Sequence, residues 1–456
     1  MIAWTPDLLD DGPPRYLQIA DQIEAGIRSG VLKPGDRLPP QRRLAARLGI
    51  DFTTVSRAYT EAAARLLTDS HVGRGTFVRK TARPAETVDP RRLRDEDLSM
   101  NMPPEVTDPE LLTFMREGLE VVSANLVSLL RYQSTIGGDQ DRMAASSWLS
   151  KRGMVPSLDR IAVTPGAHPT MTAILSIIAQ CGDTILCERI TYPGLRAIAA
   201  RLNLRLIGLE MDAQGVTPEA LEAAIARHAP KALYLNPTLH NPTTLTIPED
   251  RRILLADIVT RHRLPLIEDD AYGFIPPSAP PPFAVLAPGQ TWHIGGLAKC
   301  IGAGLRLAYT VAPDARAAFA LAQALRAISV MPSPLTTALM TRWIEDGTAD
   351  RIRHFIRGEI ATRQQIAARA LSGLEFRAEA NAFNIWLKLP AGAGRAELMG
   401  RMAGRHIGLM PSDAFTVDGD PGEHLRICLG GAIGRDELRT GLSFLQNTLS
   451  GGGWMG

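Results

Sequence analysis

Lys299 and Arg306 stand seven residues apart in the stretch GGLAKCIGAGLR, in a chain with only six lysines. Glycines beside a lysine let the backbone approach a bound group closely. A lysine shielded from water there keeps its amine neutral and nucleophilic. The arginine adds a forked donor suited to phosphate or carboxylate. A solvated lysine beside a loop would carry the same local sequence, so other residues must decide. Gly166, Ala167 and His168 in TPGAH, Tyr192 in ITYPG, Asn241 in LNPTLHNPTT, and Asp269 and Tyr272 in EDDAY are further candidates. Each follows an apolar run. Arg426 in HLRICLGG is a further candidate.

Those runs alternate with helical stretches. RIAVTPGA precedes PTMTAILSIIAQC, TILCE precedes GLRAIAARL, and KALYLNP precedes PEDRRILLADIVTRH and then LPLIEDD. This rhythm predicts an α/β domain from residue 98 to about 450, with a mainly parallel sheet covered by helices. Ligands of such sheets bind at the carboxyl ends of strands. The candidate residues up to Arg306 fall there.

The first eighty residues read differently. Leu17, Ile19, Ala20, Ile23 and Ile27 have helical spacing, and Gly30 marks a stop. QRRLAARLG and FTTVSRAYTEAAARLL predict two helices joined by a tight turn, and SHVGRGTFVRK predicts two strands around Gly-Arg-Gly. Between Val31 and Lys80 ten lysines and arginines face four acids, although the whole chain has a net charge of only +2. That local excess points to an anionic partner for this part alone. Residues 81–97, TARPAETVDPRRLRDED, are proline-rich and charged, which predicts a linker. Residues 451–456 read as a flexible tail.

The head, through LPPQRRLAARLGI, TTVSRAY and GRGTFV, resembles the winged helix-turn-helix of the GntR family of bacterial regulators. The resemblance implies double-stranded DNA as partner. Arg42 would hold a phosphate, Thr53, Thr54 and Arg57 would lie on the recognition helix, and Arg74 would enter the minor groove from the wing. The family often carries an arginine where this chain has Phe52.

The candidates of the large domain, in order and spacing, resemble the pyridoxal-5′-phosphate (PLP) site of fold-type I aminotransferases, with a smaller C-terminal α+β subdomain. The combination resembles the MocR subfamily of GntR regulators. It implies Lys299 as the Schiff-base lysine. Arg306 and the backbone of Gly166, Ala167 and His168 would hold the phosphate. Asp269 would pair with the pyridine nitrogen, Tyr272 and Asn241 with the phenolic oxygen, and Tyr192 with the ring face. Arg426 would take an amino acid's carboxylate. Tyr132 would reach the phosphate of a neighbouring subunit in a homodimer.

Three positions depart from that pattern. Gly296 and Ala298 replace hydroxyl residues that usually hold the phosphate, and Thr244 replaces the usual glycine after NPT. Each lost hydroxyl weakens the grip by about 0.5–1.5 kcal/mol net, unless His168 or Thr170 compensates. Reversible cofactor binding suits a sensor of PLP or an amine better than an aminotransferase carrying a DNA-binding arm. A dimerisation module without cofactor is disfavoured by the nearly complete set of PLP residues. The four cysteines show no CxxC or zinc spacing, which points to a reducing, cytoplasmic compartment and no metal. No apolar run approaches the roughly 20 residues of a membrane span, and no signal peptide is read.

Overall fold

A computed structural model describes residues 4–9, 12–65, 67–71, 75–79, 100–405 and 407–450. Arg74, the stretch 81–97 and the tail 451–456 lie outside them. Backbone contacts divide the chain into two units, Met1–Glu96 and Asp97–Gly456.

In the first unit, α1 (Arg15–Arg28), α2 (Gln41–Leu48) and α3 (Phe52–Ala64) precede the antiparallel pair β1 (Thr68–His71) and β2 (Gly75–Val78). Each helix ends for a local reason. Gly30, beyond α1, has φ 78°, and Gly49 closes α2 in the left-handed region at φ 63°. Asp51 caps α3 by accepting the Thr53 N–H at 2.7 Å. Ile19, Ile23, Leu44, Val55, Ala58 and Tyr59 form the centre of the core. The buried Tyr59 hydroxyl donates to the Pro39 carbonyl at 2.7 Å, tying α3 to the turn before α2.

The second unit is built on a seven-stranded sheet. Its strands are β3 (Ile161–Thr164), β4 (Thr184–Glu188), β5 (Arg205–Leu209), β8 (Ala232–Leu235), β9 (Leu266–Asp269), β10 (Thr291–Gly296) and β11 (Ala308–Val311), with a hairpin of β6 (Met211–Asp212) and β7 (Gly215–Val216) set apart. The spatial order is β3-β11-β10-β9-β8-β4-β5. Neighbours are parallel except around β11, which is antiparallel to both β10 and β3. Strands β3, β8, β9, β10 and β11 are buried along their whole length, as expected of a sheet covered on both faces. A second, antiparallel sheet takes the order β12 (Phe376–Arg377), β13 (Asn384–Lys388), β15 (His424–Cys428), β14 (Leu409–Pro411), beside the helices Thr348–Ala370 and Arg435–Ser450. Among the described residues no helix is long and apolar enough to cross a membrane.

Candidate cofactor site

Gly166, Asp269 and Lys299 stand at or just beyond the carboxyl ends of β3, β9 and β10. β10 ends at Gly296, and Lys299 follows within three residues. The Lys299 amine donates to the Asn101 carbonyl. Loss of water, then the nearby Arg426 charge, lowers its pKa from 10.5 to about 8. The amine is therefore much easier to deprotonate than an ordinary lysine's.

Asp269 ends β9 and is buried. Burial raises its pKa to about 6, while the Tyr234 hydroxyl, donating to Oδ2 at 2.8 Å, works the other way. Its other oxygen, Oδ1, has no hydrogen-bond partner. A buried carboxylate oxygen without a donor is costly, and a cationic ring N–H is the partner it lacks. The neighbouring Asp270 is separately committed, to Arg152 at 3.2 Å. Asn236, after β8, ties this region together. Its Nδ2 donates to the Asp269 carbonyl at 2.7 Å, its Oδ1 accepts the Asn241 N–H at 2.9 Å, and its own N–H donates to Glu188 at 2.7 Å.

Arg426 on β15 is buried and donates to Asn241 Oδ1 at 3.0 Å, with its guanidinium 5.1 Å from the centre of the Phe415 ring. That bond orients the Asn241 amide and leaves its Nδ2 as the donor. Tyr272 is buried, and its hydroxyl accepts from Asn101 Nδ2 at 2.8 Å. Burial pushes its pKa well above the ordinary value.

Other candidates gather around Gly166. This residue precedes the helix Ala167–Ile178 with φ 102°, a conformation that suits glycine, and a helix start of this kind can accept an anion. The Arg306 guanidinium lies close by, since a Cβ on Gly166 would be 3.6 Å from its Nη2. Arg306 itself has φ 51°. His168 Nε2 and the Tyr192 hydroxyl share a hydrogen bond of 2.7 Å, with the rings edge to face. Burial, Arg306 and Lys299 all lower the His168 pKa.

Thr170 does not compensate for the missing hydroxyls. Its single hydroxyl hydrogen is directed at Thr164 Oγ1 and the Gly166 carbonyl, both at 2.7 Å. The departure at Thr244 also has a conformational side: this β-branched residue sits at φ 62°, where glycine is at ease. Tyr132 is not brought to the site, being 86% exposed.

Sequence reasoning missed Asn101, Tyr234 and Asn236's linking role. Tyr234 carried a signal, because a tyrosine within a wholly buried strand needs a partner for its hydroxyl. Asn101 carried none.

In the first unit Arg42, Thr53 and Arg57 are exposed and Thr54 is half-buried. The Thr53 hydroxyl donates to Asp51, so its lone pairs remain for an incoming donor. The Arg57 guanidinium stacks 4.0 Å from the centre of the Tyr16 ring, and that of Arg42 lies 5.9 Å from the Phe52 ring centre.

A mainly parallel sheet with a lysine beyond one strand end and a glycine-led helix beyond another is the arrangement of the fold-type I class. Residues 98–445 match the family aminotransferase class I and II, and residues 15–78 match the bacterial regulatory proteins of the gntR family. The chain belongs to the aminotransferase class I and II family and carries a GntR domain ahead of it, the organisation of the MocR subfamily. It is 29% identical over 453 residues to YdeF of Bacillus subtilis, named an uncharacterised HTH-type transcriptional regulator, covering 98% of this chain and 97% of that one. It is 24% identical to the HTH-type transcriptional regulator TauR of Rhodobacter capsulatus, covering 87% and 89%. Among solved structures, the α-aminoadipate aminotransferase LysN of Thermus thermophilus aligns with a TM-score of 0.70 at 22% identity, over 80% of this chain and 95% of that one. An archaeal alanine:glyoxylate aminotransferase aligns with 0.72 at 19% identity, over 79% and 93%. The cofactor of this domain is PLP, and the unpartnered Asp269 oxygen beside a desolvated lysine fits it.

Proposed function

We propose that the protein is a transcription regulator. It binds double-stranded DNA through α2, α3 and the wing, and it responds to PLP, or to an amine captured on PLP, through the larger unit. The observation that carries this is the pairing of a desolvated Lys299 amine and a donor-starved Asp269 with a GntR domain in one chain. When bound, the cofactor supplies an aldehyde that condenses with primary amines.

Each residue then has a task. Lys299 presents a readily deprotonated amine as the attachment point, and Asp269 accepts the ring N–H, oriented by Tyr234. Arg306 and the N–H groups of Gly166, Ala167 and His168 hold the phosphate. Tyr272 and Asn241 Nδ2 face the phenolic oxygen. Tyr192 covers the ring, with His168 fixing its hydroxyl. Arg426 receives a carboxylate. Tyr132 serves the site of a second copy, and the exposed Val127 and Leu130 near it suit an apolar homodimer contact. On the DNA side, Arg42 and Arg74 contact backbone and minor groove, while Thr53, Thr54 and Arg57 face base edges. The protein acts where DNA is, in the cytoplasm. Residues 81–97 act as the linker.

The test is a DNA titration of the full chain at several salt concentrations, with and without PLP. Each phosphate neutralised contributes about −0.9 to the slope of log K against log salt. Arg42→Ala is expected to weaken all sequences alike and to lower that slope, whereas a Thr53 substitution shifts sequence preference. A salt-independent affinity that survives deletion of residues 1–80 overturns the reading. An aminotransferase with a DNA-binding arm is the second reading, favoured by the assembly of Lys299, Asp269 and Arg426 in one site. Turnover of an amino acid at about 1 per second or faster, with DNA binding indifferent to PLP, decides for it.

A further inference from the structure

Asn101 sits at the start of the second unit and makes more contacts in the cofactor site than its place in the chain suggests. It is 4% exposed. Its carbonyl accepts from the Lys299 amine, and its Nδ2 reaches Tyr272 at 2.8 Å and Asn384 Oδ1 at 3.1 Å. Its own Oδ1 has no partner. The next three residues are anchored independently. A Cβ on Gly430 would come within 1.7 Å of the Met102 carbonyl oxygen, so backbone packs on backbone there. Gly431 N–H donates to the Pro103 carbonyl at 3.1 Å, and Pro104 bridges to Gly431. With Met102–Pro104 pinned, the exposed Met100 is the described neighbour of Asn101 that is left to respond. In sequence, the chain before Met100 leads to the DNA-binding unit.

We propose that Asn101 is the residue through which cofactor attachment is read by the chain leading to the N-terminal unit. The inference rests on Lys299 being the attachment point. Attachment joins the Lys299 nitrogen to the aldehyde carbon. The neutral amine's two hydrogens leave with the aldehyde oxygen as water. The Asn101 carbonyl thereby loses its donor. A proton regained by that nitrogen is shared with the cofactor's own phenolic oxygen. Tyr272 accepts from Asn101 through a lone pair and keeps its own hydrogen for that oxygen, so the bond displaced is the one to the Asn101 carbonyl. A buried carbonyl without a donor is unfavourable. Cofactor attachment and the seated position of Asn101 therefore compete, and attachment frees Asn101 from the site.

Limited trypsin digestion of the full-length protein tests this, because Arg91, Arg92 and Arg94 lie just ahead of Asn101 in sequence. Adding PLP to the wild type is expected to speed cleavage after Arg94 by about fivefold or more, the lower end of ordinary coupling between sites. Lys299→Ala removes the donor outright, so it is expected to be cut fast without PLP and to ignore PLP. Asn101→Ala loses the side-chain ties and is expected to be cut faster than wild type before PLP is added, with a smaller response to it. A visible absorption band and borohydride trapping on the Lys299 peptide report attachment separately. Attachment at Lys299 with an unchanged cleavage rate overturns the inference and leaves the cofactor assignment standing. A PLP response that persists in Lys299→Ala also overturns it. Trapping at another lysine removes the assignment itself, and the inference with it.

Discussion

On the ring side of the cradle, Asp269 is buried, oriented by Tyr234 at 2.8 Å and backed by Asn236 through its own carbonyl at 2.7 Å. On the phosphate side, Gly296 and Ala298 offer no hydroxyl, and Thr170 spends its hydrogen within the protein. What remains there is Arg306 and a helix N-terminus. The ring side thus presents a buried, unpartnered acceptor suited to a protonated ring nitrogen, while the proposed phosphate side offers fewer directed donors. On the proposed reading, such a site would select the cofactor chemically and still release it, as a sensor of PLP requires. The contrast also locates the groups whose change has the greatest and the least effect.

The largest effect is expected from Asp269→Asn. It replaces a charge-assisted hydrogen bond to the ring by a neutral one, and such bonds are worth about 1.5–3 kcal/mol, or about 10- to 150-fold in affinity. Equilibrium titration followed by the visible absorption of the bound cofactor reads it directly. Unchanged affinity would place the specificity elsewhere and remove the contrast between the two ends.

Much of this was legible in the sequence, for reasons that differ between residues. Lys299, Asp269 and Gly166 each stand at the end of an apolar strand and beside punctuating residues, so local pattern exposed them. β11 was not marked, because an antiparallel strand after a lysine loop reads the same as a parallel one. Asn101 was invisible for a different reason. Its partners Tyr272 and Asn384 are 171 and 283 residues away, and nothing in SMNMPPE signals a buried amide. Arg57 shows the same limit in the smaller unit, since its stacking on Tyr16 joins residues 41 apart. Thr244 was noticed as a departure, but its left-handed backbone emerged only from the fold.

A second, intermediate effect follows pH. The Lys299 pKa lies near 8 rather than 10.5, so the amine is mostly protonated at neutral pH and mostly neutral above 8. Below that value the neutral fraction, and with it the rate of cofactor attachment, rises about tenfold per pH unit. The rate is expected to level off above pH about 8. The depressed pKa means the folded state binds fewer protons than the unfolded chain between the two values. In the cofactor-free protein this group therefore favours folding increasingly as pH rises through that window. Arg426→Gln removes the second cause of the depression and is expected to move the inflection to higher pH. Stopped-flow absorbance across pH 6–10 measures both variants. An inflection that stays near 10 would mean that Lys299 is solvated in solution.

The smallest effect tests the weaker end by restoring what it lacks. A Cβ on Gly296 would meet only Ala271 Cα at 3.8 Å and Ala167 Cβ at 3.9 Å, ordinary contact distances, and its backbone is not in the left-handed region. Gly296→Ser is therefore expected to fold unchanged and to place a hydroxyl beside the first residue of the phosphate-binding helix. One such donor is worth about 0.5–1.5 kcal/mol, or about 2- to 12-fold tighter cofactor binding. The gain should appear mainly as slower loss of cofactor on dilution, because the phosphate holds the molecule after any bond to Lys299 has hydrolysed. DNA binding should then respond at correspondingly lower PLP, with the size of the response unchanged, since the serine touches neither Lys299 nor Asn101. If Gly296→Ser leaves the release rate as it was while Asp269→Asn weakens binding, Arg306 and the helix already satisfy the phosphate. The two ends would then be equally complete, and reversibility would have to come from Lys299 itself.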